Sequence, residues 1–188
     1  MERMDAALSI ALGLGLAAAC GFRVFVPLLV VSAASYSGHL SLAGSFDWLA
    51  STPALITLSV ATVLEIAAYY IPWVDHLLDS VAAPAAVVAG VVASASVITG
   101  MDPYLKWTLA VIAGGGLAGA VQVVTMGTRG ASLLTTAGFG NPVVSSVETG
   151  SSVVLSVLAV VAPLLAVGVV VVFLALVTAR LFGRRQTA

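Results

Sequence analysis

Long stretches without a formal charge dominate the pattern of hydrophobic and polar positions along the chain. Each reaches the roughly 20 residues that a helix needs to cross the hydrocarbon core of a bilayer. Apolar and polar residues do not alternate within them as they would in the strands of a membrane barrel. The pattern therefore predicts an all-α fold, a polytopic transmembrane helical bundle. Four uncharged runs carry this prediction: 24–46, 80–101, 107–128 and 149–179.

Polar, glycine-rich or proline-containing interruptions divide the chain into about six membrane segments. The last apolar run, 149–179, would be about 47 Å long as one helix, against about 30 Å of hydrocarbon. Pro163 therefore either kinks one tilted helix or separates two shorter ones, and the length favours two. The interruptions lie at 36–51, 100–103 and 128–141, and the predicted segments are 6–35, 52–71, 73–99, 105–127, 142–161 and 163–182.

Composition excludes several classes of protein. The 188 residues are 61% hydrophobic and 8% charged, whereas soluble domains are about 45–50% apolar and about 25% charged. Seven scattered Lys and Arg form no basic patch for nucleic acid, and a single cysteine allows no internal disulfide. The expected partners are the lipid bilayer and a small solute or ion, and a homo-oligomer is left open.

A glycine-rich stretch at 113–120, "AGGGLAGA", does not predict a cofactor site. It follows no strand and lacks the lysine of a phosphate-binding loop, so no cofactor is assigned. Gly115 and Gly119 stand four residues apart, which instead favours two helices approaching closely.

Positive charges near the helix ends predict the orientation, because cytoplasmic loops carry an excess of Lys and Arg. Three arginines lie at the C-terminus, one lies near the N-terminus, and Arg129 lies in the 128–141 break. Six crossings with both termini in the cytoplasm place all five inside, with Lys106 as the exception. The sequence thus predicts a multi-pass membrane protein with both termini in the cytoplasm.

Two short segments echo each other within one integral membrane domain, 1–188. "IPWVDHLLDS" at 71–80 and "NPVVSSVETG" at 141–150 each contain a proline, two further residues, a polar residue, and then an acidic residue about a turn later. Proline suits the first turn of a helix, where its missing N–H costs nothing. The echo suggests inverted three-helix halves, 1–100 and 101–188, as in many secondary transporters.

Arg23 stands near the middle of the first predicted segment, where a charge costs about 2.5–3.5 kcal/mol on insertion scales. A structural interpretation pairs it with Glu65 or Glu148. A functional interpretation makes it an anion contact, because a guanidinium presents a fork of donors to carboxylate or phosphate. Pro27, four residues later, disturbs the helix at Arg23 and could expose backbone groups beside the cation.

Glu65 lies about two turns inside the second segment and shares a helix face with Tyr69. A buried carboxylate there could take up and release a proton, or it could serve only as a counter-ion for Arg23. Both interpretations place the side chain inside the bundle.

Asp75 and Asp79 stand one turn apart near the start of the third segment, next to His76. Acids at this position interact favourably with the helix dipole, which is a structural explanation. A proton or cation entry site is the functional alternative. A metal site with Glu148 is a third interpretation, but no zinc-enzyme spacing such as HExxH is present, so no metal is assigned.

Glu148 occupies the corresponding first turns of a later helix, for which Asn141 is predicted as the N-cap. Serine and threonine donors surround it, which is more typical of a site lining than of a lipid-facing surface. The functional interpretation of all these groups requires that the guanidinium and carboxylate side chains point inward and converge.

Four quoted stretches resemble a family of small bacterial integral membrane proteins catalogued as domain of unknown function 4126. The resemblance covers nearly the whole chain and implies a multi-helix inner-membrane protein without an activity that can be carried over. The stretches are "GLAAACGFRVFVPLL", "LEIAAYYIPWVDHLLDSV", "AGGGLAGAVQ" and "GFGNPVVSSVETG".

The leading functional hypothesis is a small integral membrane transporter or channel for a small solute or ion, in which proton coupling is an option. Its predicted site residues are Arg23, Glu65, Asp75, Asp79, Asn141 and Glu148. The alternatives are a membrane assembly or scaffold protein whose charges only lock helices together, and an intramembrane lipid-handling enzyme. The sequence assigns no catalytic residue, because no nucleophile or metal constellation has a recognisable spacing.

Overall fold

The computed structural model describes residues 2–183, except for the side chains of 2–4, 72, 73, 75–77, 79 and 181–183. All regular secondary structure in this range is helical, which confirms the predicted all-α class. A 3₁₀ helix spans Gly44–Ala50, and a π-helical segment spans Ala110–Gly115. The α-helices are α1 (Glu2–Cys20), α2 (Phe25–Tyr36), α3 (Thr52–Ala68), α4 (Pro72–Val97), α5 (Pro103–Leu109), α6 (Gly116–Thr136), α7 (Asn141–Val161) and α8 (Pro163–Gly183).

Several helices are long and apolar enough to cross a membrane, which supports a multi-pass membrane protein. Four such spans occur in the described part of the chain, and a fifth arises if the 3₁₀ helix and α3, bent by 67°, count as one. The six-segment count and the inverted repeat remain predictions. The four spans are Ser80–Val97, Pro103–Thr136, Asn141–Val161 and Pro163–Arg180.

The prediction of one helix over 6–35 is wrong, because the chain breaks at residues 21–24. Pro27 lies in the first turn of α2. Backbone N–H groups in the first turn have no partner within the helix, so the missing N–H of proline costs no hydrogen bond there. A side chain at Gly21 would come within 2.5 Å of the carbonyl oxygen of Ala118, so only glycine lets the break pack so closely against α6. The Ser152 hydroxyl donates to the carbonyl oxygen of Ala19 at 3.0 Å, which satisfies one acceptor at the end of α1.

The contacts of α1 show its direction through the bundle. Gly15 packs against Ala159, near the end of α7, and against Ala166, near the start of α8. Further along α1, the ring of Phe22 lies 5.7 Å from that of Phe173 in α8. Helix α1 therefore runs parallel to α8 and antiparallel to α7.

Helix α2 returns in the opposite direction, antiparallel to α3. Its first residue, Phe25, contacts Glu65 at the end of α3, and Ser32 bonds the carbonyl oxygen of Leu49, which precedes α3. Helices α1 and α2 therefore form a hairpin whose tip is residues 21–24. The start of α1 and the end of α8 lie at opposite ends of the bundle, and the orientation of the termini in a membrane stays a prediction.

Small residues let α4 pack closely against the π-helical segment and α6. A Cβ on Gly90 would lie 2.5 Å from that of Ala118. A Cβ on Gly115 or Gly119 would meet a valine of α4 at 2.9 Å or 3.1 Å. The predicted role of these two glycines in close helix packing is confirmed.

Two breaks in the second half differ from each other. Pro163 follows a one-residue interruption at Ala162, which confirms the preference for two helices there. Helix α6, in contrast, continues to Thr136, so the predicted break at 128–141 shrinks to 137–140. Arg129 is therefore a buried helical residue, 6% exposed, and not one of the loop charges that the orientation prediction used.

Candidate functional site

Four charged side chains from four parts of the fold converge at the hairpin tip. Arg23 belongs to the tip, Glu65 lies near the end of α3, Arg129 in α6 and Glu148 in α7. Their exposed fractions are 1%, 9%, 6% and 4%, respectively. The guanidinium and carboxylate groups of Arg23, Glu65 and Glu148 turn inward and meet, as the functional interpretation required, and Arg129, which was predicted to lie in a connecting loop, joins them.

Arg23 is anchored to one face of α7. Its Nε donates to Thr149 Oγ1 at 2.9 Å, and its Nη2 donates to the backbone carbonyl oxygen of Ser145 at 2.9 Å and to the Ser145 hydroxyl. Glu148 Oε2 lies 3.7 Å from Nη2. Of the two partners that the sequence allowed, the structure therefore selects Glu148 as the carboxylate nearest to Arg23.

Glu65 serves the backbone of the hairpin rather than the Arg23 side chain. Its two oxygens accept hydrogen bonds from the backbone N–H groups of Val24 at 2.7 Å and Phe25 at 3.0 Å. These N–H groups open α2, where the helix dipole favours a negative charge. Because α2 has no capping side chain of its own, the carboxylate of α3 caps it from a neighbouring helix.

Arg129 and Glu148 form the tightest ion pair of the site. Arg129 Nε donates to Glu148 Oε1 at 3.0 Å and to Oε2 at 3.1 Å, and Nη2 also donates to Oε2. Oε2 is thus the atom on which the Nη2 groups of Arg23 and Arg129 both converge. One carboxylate is shared by two guanidinium groups.

The ring of Tyr69 connects the two arginines. The guanidinium carbons of Arg23 and Arg129 lie 4.0 Å and 3.9 Å from its centroid, within the range of a cation–π interaction. Tyr69 follows α3 directly and is 5% exposed. It therefore holds two like charges against one aromatic ring, which reduces their mutual repulsion.

The other predicted site residues have different outcomes. Asn141 is the first residue of α7, and Gly140 rather than Asn141 occupies the N-cap position, so the capping prediction is wrong. Asn141 begins a polar stripe on α7 that continues with Ser145 and Glu148. Asp75 and Asp79 lie in the first two turns of α4, but their side chains lie outside the described part of the structure, so their roles stay predictions.

Sequence reasoning missed Arg129 as a site residue. The glycines and threonines around it have low helix propensity, and this made the stretch resemble a loop. If the helix had been predicted to continue to Thr136, Arg129 would have shared a face of α6 with Thr125, which is buried. This four-residue spacing was the signal that could have identified Arg129 as a site residue.

Two apolar clefts flank the charged cluster. The larger, about 570 Å³, lies between α1, α6, α7 and α8 and reaches Glu148. The smaller, about 430 Å³, lies between α2, α3 and α4 and reaches Glu65 and Tyr69. Arg23 lines neither of these two clefts.

The described residues contain no group of three or more His, Cys, Asp or Glu side chains that could hold a metal ion. The metal alternative from the sequence needs Asp75 and Asp79 beside Glu148, and so it remains a prediction. The arrangement that is present suits oxyanion recognition, because its donors are two guanidinium groups directed at one oxygen.

Comparison with known proteins places this arrangement in a family. The model of a family described as "Domain of unknown function (DUF4126)" matches residues 10–182. The chain belongs to this family. No curated protein and no solved structure matched the chain. The family match covers the hairpin and all four charged residues, and its description states no activity, so the function has to be argued from the site.

Proposed function

We propose that this DUF4126 protein is a small integral membrane transporter or channel for a small solute or ion. The observation that carries the proposal is the convergence of Arg23, Arg129, Glu65 and Glu148 at a break between two helices inside an apolar bundle. Ionisable residues inside membrane segments are rare and commonly mark substrate or ion pathways.

The broken hairpin supports the proposal on separate grounds. Transport sites are often built from discontinuous helices, because helix ends provide unpaired backbone groups that can bind ions or polar substrates. Here α1 ends and α2 begins beside the charged cluster, and Glu65 occupies the N-terminus of α2. A solute that competes for these groups would loosen the hairpin tip, which gives binding a route to conformational change.

The arrangement of positive charge supports an inner-membrane orientation with the cluster towards the cytoplasm. The end of α8 carries Arg180, and Arg184 and Arg185 follow it in the sequence. The α6–α7 connection lies at the same end of the bundle, close to Glu148. Under the positive-inside rule this end faces the cytoplasm, and the start of α1 faces the other side.

Purified protein in liposomes tests the proposal through currents and through an internal pH dye, after rapid exchange of sodium, potassium, chloride, nitrate or protons. We expect a current or a change of internal pH above that of protein-free liposomes for at least one ion, and Glu65→Gln and Glu148→Gln should each change this flux. The exposed Arg180→Gln serves as a control that should leave the flux unchanged. The proposal fails if no exchange produces a current or a pH change above the background.

A second candidate is the scaffold function, which one observation favours: the charges of Arg23, Arg129, Glu65 and Glu148 sum to zero. If this is the whole role, replacing Arg129 by Met and Glu148 by Leu should each destabilise the protein, the double replacement should restore stability, and the wild type should produce no flux above protein-free liposomes. Under the transport proposal, the wild type produces a flux and the double variant loses it even when it is stable.

A further inference from the structure

Arg23 is held by hydrogen bonds to α7, but one of its guanidinium nitrogen atoms donates no hydrogen bond to the described residues. Its Nε and Nη2 are fixed on α7, whereas Nη1 is buried and has no hydrogen-bond partner within the described part of the chain. Its nearest carboxylate oxygen lies 3.7 Å away, beyond the usual length of about 2.7–2.9 Å for a charge-assisted hydrogen bond. A buried guanidinium N–H without an acceptor is costly, which points to a ligand that supplies one.

The neighbouring carboxylates are already engaged elsewhere. Both oxygens of Glu65 accept backbone N–H groups of α2, and both oxygens of Glu148 accept hydrogen bonds from Arg129. In this conformation neither carboxylate provides a hydrogen-bond acceptor for Arg23 Nη1.

The position of Glu148 Oε2 has the geometry of an oxyanion site. Two Nη2 groups, from Arg23 and Arg129, approach this single atom. Planar guanidinium forks match the oxygens of carboxylate-like anions better than they match a spherical ion. An anion in this position would satisfy both forks if Glu148 vacated it.

The larger cleft provides the space for Glu148 to move. Glu148 forms part of its wall, next to Thr125, Thr128 and Ser151, whose hydroxyls could bond a neutral carboxyl group. The rest of the wall is mostly valine, leucine and phenylalanine. A protonated carboxyl group tolerates such surroundings far better than a carboxylate does.

We propose that a small monovalent oxyanion of the carboxylate type takes the place of Glu148 between Arg23 and Arg129, while Glu148 takes up one proton and turns into the cleft. The inference rests on the proposed transport function and names its substrate class and coupling ion. The charges balance: the four described residues sum to zero, and one anion entering with one proton leaves the sum unchanged. The proton comes from solution and resides on the Glu148 carboxyl group.

Other charged groups surround the titrating carboxyl and act on the same step. Glu65 interacts electrostatically with both arginines. The described groups that face the site are Arg23 from the hairpin tip, Arg129 from α6, and Glu65 and Tyr69 from the end of α3.

Nitrate is the probe for the test, because it is a planar oxyanion whose charge does not change over the pH range of the measurement. The measurement is the nitrate dependence of thermal unfolding in detergent, with total ionic strength held constant by chloride. We expect nitrate to stabilise the protein beyond chloride. The apparent dissociation constant should rise roughly tenfold per pH unit where one proton is taken up per anion bound.

Three variants locate the effect. Glu148→Gln keeps the size of the side chain without its titration, and its nitrate binding should not depend on pH. Arg23→Lys keeps the charge but removes the fork, and we expect at least a tenfold loss of binding. Arg180→Lys, an exposed change outside the site, is the matched control and should bind nitrate as the wild type does.

Proteoliposomes with an internal pH dye separate this inference from the proposed function. An inward nitrate gradient should acidify the lumen in the wild type but not in Glu148→Gln. Binding without any flux would contradict the transport function and keep the oxyanion site. Flux of another solute without nitrate binding would keep transport and overturn the oxyanion inference, as would unchanged nitrate binding in Arg23→Lys.

An anionic lipid headgroup carries related chemistry and is distinguished in nanodiscs. If such a headgroup is the occupant, adding phosphatidic acid to a phosphatidylcholine disc should abolish nitrate binding. Under the inference of a soluble anion, the binding persists in both discs, and its loss would overturn that part of the proposal.

Discussion

Replacing Arg129 by methionine tests how much the buried ion pair contributes to stability. The change keeps most of the side-chain length and removes the charge from a position that is 6% exposed. Glu148, whose side chain is 5% exposed, would lose three donor contacts with Arg129 and, among the cations that the structure describes, would keep Arg23 at 3.7 Å. Breaking a buried pair by removing one partner costs about 3–5 kcal/mol.

The attraction that remains between Arg23 and Glu148 determines where in this range the expected loss of stability falls. Two unit charges 3.7 Å apart attract by about 4 kcal/mol at an effective dielectric constant of about 20. Glu148 would thus keep partial compensation, which argues for the lower end of the range. We expect Arg129→Met to lower the free energy of unfolding by about 3 kcal/mol, which is roughly a hundredfold shift of the folding equilibrium.

Equilibrium unfolding in mixed detergent micelles, followed by circular dichroism, measures this loss. Arg180→Met is the control, because Arg180 is an exposed arginine at the end of α8, and its change should stay within about 0.5 kcal/mol. The double variant Arg129→Met/Glu148→Leu removes both charges and should be more stable than Arg129→Met alone. Losses that simply add in the double variant would refute the coupling between the two residues.

Three further predictions concern the cap, the packing and the ring. Glu65→Gln should lower the free energy of unfolding by about 1.5–3 kcal/mol, because an amide cannot accept from both backbone N–H groups of α2; no loss would contradict the capping role. Gly90→Ala should cost about 1–3 kcal/mol by overpacking against α6, whereas Gly127→Ala, which has open space, should be neutral or stabilising by up to about 1 kcal/mol; equal effects would contradict the packing argument. Tyr69→Leu should destabilise more than Tyr69→Phe, because phenylalanine keeps the cation–π contacts; the reverse order in the same unfolding assay would contradict that role.

The sequence predicted the helical class and the convergence well, because both follow from the cost of charge in hydrocarbon. Uncharged runs have few alternatives to helices in a bilayer, since every backbone group must be satisfied internally. For the same reason, Arg23 and Glu148 had to turn inward. The structure adds which groups meet.

The hairpin was not predicted, because the residues on both sides of the break are equally apolar. Periodicity cannot distinguish one long helix from two antiparallel ones when neither carries a polar face. Gly21 and Pro27 were the only local signals, and each is also compatible with a kinked helix. The direction of α2 depends on contacts with Glu65 and Leu49, which are distant in sequence.

The site contains more charged side chains than the capping of the hairpin requires. Ser152 satisfies a carbonyl at the end of α1, and Glu65 satisfies the first N–H groups of α2, so the break is capped without either arginine. Elsewhere the bundle achieves close packing with small residues alone, as Gly90 shows against α6. A buried ion pair is often no more stabilising than apolar side chains of similar volume. Two guanidinium groups on one shared carboxylate, beside a donor without a described partner, are therefore the feature on which the proposed oxyanion site rests.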